Sequence, residues 1–273
     1  MGSGIALQDA IKTYTFDQEK TRPPRETIAR VRARLREVDL DILKETVRID
    51  SGRLGIPIYI SRCGTDAVQV IGTQKQMGKG GTPEQSEASA LMELVERFSF
   101  FTFIRERNFI RATYDQVREE ALPFEQLARC FYDRSPDLER VREVFQTIPL
   151  AWVWARNLTR DREVLVPIDW FYLIHEYNGP SAGNTLEEAV LQGLCELVER
   201  HVSSVISFDL LTTPTIDPAS VTDPAARELI DKFDRLGIKL YLKDFSLDTG
   251  IPTVGSLAYD PSTFPEKSEI VYT

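Results

Sequence analysis

Apolar side chains recur every three or four positions across residues 23–40, where Thr27, Ile28, Val31, Leu35 and Val38 share one side of a helix. Arg25, Arg30, Arg32, Arg34 and Arg36 make its other side strongly basic, which reads as a solvated face. Residues 46–53 and 56–63 are β-rich and punctuated by Gly52, Gly55 and Pro57, and the apolar run 66–73 reads as a third strand. Glycines crowd 78–81, and a long helical period then occupies 83–105. A charged helical stretch, 114–142, precedes strands at 151–157 and 163–167. A loop carrying Gly179, Pro180 and Gly183 opens a second long helix over 186–209. The pattern closes with a helix at 225–236, strands at 239–245 and 253–259, and a strand begun at Ile270. Strands come in runs separated by long helices, so the pattern predicts an α+β domain with β-sheets packed against those helices, not a doubly wound sheet.

Composition narrows the possibilities. With 273 residues, 42% of them hydrophobic and 27% charged, the chain is of an ordinary globular kind. No stretch approaches the ~20 apolar residues of a membrane span, and the N-terminus lacks a signal-peptide core, so a cytoplasmic protein without a membrane partner is expected. The leading Met-Gly-Ser-Gly reads as a tag remnant or loose end. Forty-two acids against 33 bases give a net charge of -9, which argues against a nucleic-acid partner. Cys63, Cys130 and Cys195 are odd in number and far apart, so neither a disulfide framework nor a zinc knuckle is indicated.

The most informative feature is an internal repeat. Gly78-KGGTPEQSEASALMELVE-Arg97 and Ser181-AGNTLEEAVLQGLCELVE-Arg200 match at an offset of 103 residues, which superposes Gly80 on Gly183, Thr82 on Thr185, Glu93 on Glu196, Glu96 on Glu199 and Arg97 on Arg200. Two such units are too few for a solenoid and imply a pseudo-symmetric domain with its site between the halves. Each helix opens on a capping box, Thr82 with Gln85 and Thr185 with Glu188, in which the carboxylate or amide would reach back to the threonine N–H. At 3.6 residues per turn, Gln85, Ser89, Glu93 and Glu96 form one stripe, and Glu188, Gln192, Glu196 and Glu199 form its counterpart. Beside the second stripe, Leu191, Leu194, Cys195, Val198 and Val202 are expected to face the core.

Like charges at these spacings repel, so something positive belongs among them. One answer is pairing with Arg97, Arg200 and other bases. The other is a hard divalent cation held by oxygen ligands, and Mg²⁺ commonly shares its shell with nucleoside phosphates. A di-iron site would need Glu-x-x-His, whereas His201 follows Glu199 by two; His201 is expected to pack. The Gly78–Gly81 loop lacks Walker spacing.

Gly-Lys-Gly-x-Thr followed by Ser89-Ala90-x-x-Glu93-x-x-Glu96-Arg97, then Ala182-Gly183-Asn184-Thr185-x-x-Glu188-Ala189 and Glu196-x-x-Glu199-Arg200, resembles the YcaO family. The resemblance implies a pseudo-symmetric α+β fold and ATP- and Mg²⁺-dependent activation of peptide backbone amides. Phosphorylation of the amide oxygen would make it a leaving group, giving an azoline or a thioamide. By position, Glu93, Glu96, Glu188, Glu196 and Glu199 match metal-binding carboxylates, and Asn184, Gln192 and Arg200 match the nucleotide neighbourhood. Lys20 and Thr27 resemble the family's N-terminal ATP contacts. The implied partners are a peptide or protein substrate, a TfuA-like or leader-peptide-binding protein, and a second copy in a homodimer. On this basis residues 1–19 form an N-terminal segment and 20–273 a YcaO-like ATP-binding domain that stops short of the family's C-terminal part. No nucleophile triad is evident, and Cys195 is expected in the core. The rival reading is a non-catalytic nucleotide- or partner-binding module that supports another modification enzyme.

Overall fold

The structure is a computed structural model. It describes residues 4–15, 19–50, 52–106, 108–130, 137–262 and 271–272, with the backbone alone for 271–272 and His175. The elements in chain order are α1 (Pro24–Glu37), β1 (Leu43–Arg48), β2 (Ile58–Cys63), α2 (Thr65–Ile71), β3 (Lys75–Lys79), α3 (Pro83–Glu106), β4 (Ile110–Ala112), α4 (Tyr114–Val117), α5 (Phe124–Ala128), α6 (Leu138–Thr147), β5 (Leu150–Asn157), β6 (Arg162–Pro167), α7 (Ile168–His175), α8 (Leu186–Asp209), β7 (Thr215–Ile216), α9 (Pro224–Arg235), β8 (Lys239–Asp244), β9 (Val254–Tyr259) and β10 (Val271–Tyr272). This mixture of long helices and small sheets is the expected α+β class. Among the described residues no helix is long and apolar enough to cross a membrane.

The chain forms two compact units, one of Met1–Gln8 with Phe103–Asn178 and the other of Asp9–Thr102 with Gly179–Thr273. In the first, the antiparallel sheet β4-β5-β6 is covered by an aromatic core in which Tyr114, Phe124, Phe145 and Trp152 are buried. The Trp152 indole N–H donates to the Ala112 carbonyl at 2.9 Å, satisfying the polar atom of the largest core side chain.

The second unit carries the antiparallel sheets β1-β2-β3 and β10-β9-β8-β7. Leu94 of α3 is fully buried against Ile42, Cys63 and Ala67, and Leu35 of α1 packs on the same cluster. The basic side of α1 is not wholly solvated. Arg25 reaches Glu84 at 2.6 Å and Arg32 reaches Glu87 at 2.7 Å, tying α1 to the first turns of α3.

Residues 66–73 are not a strand. Asp41 holds the Thr65 N–H at 2.7 Å, and Ala67, Val68 and Ile71 turn together onto the Leu94 cluster, a helical spacing. Gly72, at φ 83°, then ends α2. The third strand is β3, whose last two residues overlap the 78–81 stretch read as glycine-rich. Gly78 lies in it because a Cβ there would strike the backbone of Ser86 and Ala90. The charged region 114–142 is helical in short pieces, with Pro123 breaking it between α4 and α5. Neither β4 nor α7 is predicted by the pattern. The strand start at Ile270 lies outside the described residues.

Candidate functional site

The two loop–helix junctions repeat in three dimensions at the offset seen in the sequence. A Cβ on Gly80 would strike Gln85 and the Ser86 N–H, and one on Gly183 would strike Glu188 and the Ala189 N–H, the same contacts 103 residues on. The next tie is made with its donor exchanged. Ser86 Oγ donates to the Gly78 carbonyl at 2.8 Å, whereas at the matching places Ser181 Oγ donates to the Ala189 carbonyl at 2.5 Å. The glycine changes sides as well, from Gly78 on the strand to Gly193 on the helix, where a Cβ would meet Ser181.

These junctions aim both stripes into one cavity of about 530 Å³. Gln85, Ser89, Glu93, Glu96 and Arg97 of α3 line it, and so do Glu188, Gln192, Glu196, Glu199 and Arg200 of α8. Lys20, Thr27 and Asn184 complete the set expected from the sequence, so every candidate ligand residue is brought there. Lys79, Arg22, Ser181 and Ala182 also line the cavity and were not among the candidates. Lys79 stands in the Gly-Lys-Gly loop, and that single base beside the acidic stripe is the signal that could have found it.

The first helix start is the capping box expected. Gln85 N–H donates to Thr82 Oγ1 at 3.2 Å and Gln85 Oε1 accepts from the Thr82 N–H at 3.0 Å. The second differs. Thr185 Oγ1 accepts from the Glu188 N–H, but the Glu188 carboxylate does not return to Thr185. Its Oε1 accepts from the Asn184 N–H at 3.2 Å and Nδ2 at 3.1 Å, and its Oε2 accepts from the Thr21 N–H at 3.0 Å and Oγ1 at 2.8 Å. Thr27, which is buried, donates to Asn184 Oδ1 at 2.8 Å and completes the chain.

Burial pushes the Glu96 carboxyl up to about 7, with Glu93 and Glu196 adding to the effect against the pull of Arg97. Glu93 is raised for the same first reason, and Glu196 lies among the charges that raise it. Burial would also raise Glu188, but the hydrogen bonds from Thr21 and Asn184, with the Lys20 charge, outweigh it and hold that carboxyl below its usual range. Arg97 lies 3.5 Å from Glu96 and 4.0 Å from Glu93, and Arg200 lies 3.7 Å from Glu196, so the arginines serve both helices as internal counter-ions. Among the described residues no three His, Cys, Asp or Glu side chains already close on one point as metal ligands.

The face of α8 beside the acids departs from expectation. Val202 is buried, but Leu191 and Leu194 are about half exposed and Cys195 is exposed, because neighbouring elements cover this helix mainly at Gly193 and Val202. His201 is exposed as well and does not pack.

A family profile described as YcaO cyclodehydratase, ATP- and Mg²⁺-binding, matches residues 77–272. The chain belongs to the YcaO family. It is 30% identical over 248 residues to an uncharacterised protein in the tfuA 3′ region of Rhizobium leguminosarum bv. trifolii, covering 84% of this chain and 54% of that protein. Among solved structures it resembles a heterocyclase in complex with substrate and cofactor, with a TM-score of 0.72, 25% identity and coverage of 93% of this chain and 37% of that one. It also resembles YcaO from Methanopyrus kandleri bound with AMPPCP and Mg²⁺, with a TM-score of 0.60, 25% identity and coverage of 91% and 61%. The chain spans 60% and 54% of the length of two curated relatives it matches.

Proposed function

We propose that this YcaO chain binds ATP and Mg²⁺ in the cavity between α3 and α8 and activates backbone amides of a peptide or protein. The observation that carries the reading is the convergence of two pseudo-equivalent glutamate stripes on one cavity that is also faced by Lys20, Lys79 and Arg200. Two enclosed donors of its lining, Gln85 Nε2 and Arg22 Nε, have no hydrogen-bond partner among the described residues, which suits a ligand rich in anionic oxygens. Carboxylates on two facing helices suit Mg²⁺, which takes one or two of them and fills its shell with phosphate oxygens and water.

In this reading Glu93, Glu96, Glu196 and Glu199 hold metal. Glu188, with both oxygens engaged, would have to release a donor to join them. Lys20, Thr27, Asn184, Gln192 and Arg200 hold the nucleotide, the two bases neutralising phosphate charge. When bound, ATP with Mg²⁺ supplies a phosphoryl group that turns the amide oxygen into a leaving group. The chain's own contribution is to fix the two helices, keep Glu188 ionised and set bases against the charge that develops.

Either an azoline, with a substrate side chain as nucleophile, or a thioamide, with sulfide, can follow from that activation. The tfuA-region relative favours a TfuA-like partner and hence the thioamide. The test incubates the full chain with ATP, Mg²⁺, a candidate peptide and sulfide, with and without a TfuA-like protein. The expected result is ADP and phosphate with oxygen exchanged for sulfur in the peptide. Loss of one water would indicate the azoline, and tight nucleotide binding without turnover under every condition would indicate the binding module.

A further inference from the structure

The segment before α1 is folded back on itself. Lys20 N–H donates to the Tyr14 carbonyl at 2.9 Å, the Thr13 and Tyr14 N–H groups donate to the Lys20 carbonyl at 3.0 Å, and Thr13 Oγ1 donates to the Thr21 carbonyl at 2.5 Å. From this turn Lys20 faces the cavity. The next residue, Thr21, spends both its backbone N–H and its hydroxyl on a single oxygen of Glu188, 167 positions away. Asn184 fills the other oxygen and is itself held by Thr27, so one carboxylate joins the turn, the start of α1 and the start of α8. Hydrogen bonds to a carboxylate are short and about twice as strong as neutral ones. Two of them on one oxygen fix direction as well as distance.

We infer that Thr21 is a positioning residue: its double hydrogen bond to Glu188 clasps the N-terminal turn onto α8 and thereby sets Lys20 in the nucleotide cavity. The inference rests on the reading of that cavity as a nucleotide site, and goes beyond it by assigning the clasp to a residue that touches neither metal nor phosphate. Glu188 becomes the anchor of the clasp, and the repeat shows why the anchor is single. The residue 103 positions earlier is Gln85, whose Oε1 serves the Thr82 cap instead of a distant segment.

Thr21→Val keeps the shape and the backbone N–H but removes the hydroxyl, and Thr21→Ser restores it. Two readouts on the full chain separate the clasp from its purpose. Trypsin cleavage after Lys20, followed by mass in the absence of nucleotide, should accelerate several-fold in Thr21→Val and return to the wild-type rate in Thr21→Ser. Affinity for ATP with Mg²⁺ should fall about tenfold in Thr21→Val, the ratio that about 1.4 kcal/mol represents, and recover in Thr21→Ser. Equal cleavage in all three proteins would overturn the clasp. Faster cleavage with unchanged affinity would overturn the positioning role. Faster cleavage in a protein whose wild type binds no nucleotide would remove the nucleotide reading, and the role of Thr21 in it, while leaving the hydrogen bonds as described.

Discussion

The starts of α3 and α8 share one scaffold and differ in polarity. Gly80 and Gly183 press against equivalent backbone, and a serine ties each loop to its helix. On that common frame Gln85 is neutral and caps its own helix, whereas Glu188 is charged and gathers four donors, two from distant Thr21 and two from Asn184 just before its own helix. Farther along, Glu96 is largely enclosed while its counterpart Glu199 is exposed. A repeated backbone thus fixes where side chains stand, and their surroundings decide what each can do. The cavity is symmetric in geometry and asymmetric in chemistry.

The largest expected difference concerns Glu96 and Glu199. A carboxyl raised from 4.5 to about 7 on folding weakens the folded state above pH 7, and the penalty fades as pH falls toward 4.5. Glu96→Gln should therefore stabilise the nucleotide-free protein by on the order of 1–3 kcal/mol above pH 7 and by nothing near pH 4.5. Glu199→Gln, at an exposed position, should change stability by less than about 0.5 kcal/mol. Urea melts across this pH range decide it; equal behaviour of the two variants would erase the asymmetry.

Crowding the shared frame should cost nearly as much. Gly80→Ala and Gly183→Ala each place a methyl group against backbone, and a loss of about 2 kcal/mol apiece is expected in denaturant titrations. Tolerance of alanine in one half alone would show that the junctions are not equivalent.

Exchanging the two polar residues should be unequal. Glu188→Gln sets an amide NH₂ among four donors and should cost about 1.5–2 kcal/mol by thermal melts without nucleotide. Gln85→Glu keeps the acceptor for the Thr82 N–H, and the helix N-terminus offsets part of the cost of burying the added charge, so a smaller loss of about 1 kcal/mol is expected. If Gln85→Glu proves the more damaging, the polarity assigned to the two helix starts is reversed.

The smallest contrast is between the serines. Ser86→Ala removes the hydroxyl donor of a buried hydrogen bond to the Gly78 carbonyl and should cost about 1–1.5 kcal/mol, whereas Ser181→Ala, in a half-buried setting, should cost about 0.5–1 kcal/mol. Circular dichroism melts of the pair would measure the gap.

Much of this was legible in the sequence. Periodicity and capping residues placed α8 over its observed span and α3 within a residue or so, and the fixed offset pointed to the two glutamate stripes that line the cavity, whereas Lys20, Thr27 and Asn184 were legible only through the family resemblance. What escaped were features created by distant partners. Residues 66–73 carry strand-forming valines, but Asp41 and the Leu94 cluster wind them into α2. Thr21 looks like any loop threonine until Glu188 stands opposite it. The short β4 exists through pairing with β5, and the unbroken apolar run of α7 has no period to read. The apolar arc of α8 was visible as a pattern, but a pattern does not say whether anything lies against it.

That last feature bears on motion. α8 is gripped at its beginning, by the Thr185 cap, the Glu188 anchor and Gly193 against the Gly179 loop. Beyond Val202 no residue of the helix is fully buried, and it ends on Leu210, a leucine forced to φ 50° with 87% of its surface in water. A helix held this way frays from its far end, so amide hydrogens beyond Val202 should exchange faster than those between Glu188 and Val202. Glu188, Glu196 and Glu199 all precede Val202 and ride on the anchored part, with Glu199 nearest its end. A cation bridging Glu196 and Glu199 to α3 would add a hold between Gly193 and Val202 and slow exchange most in the middle of α8.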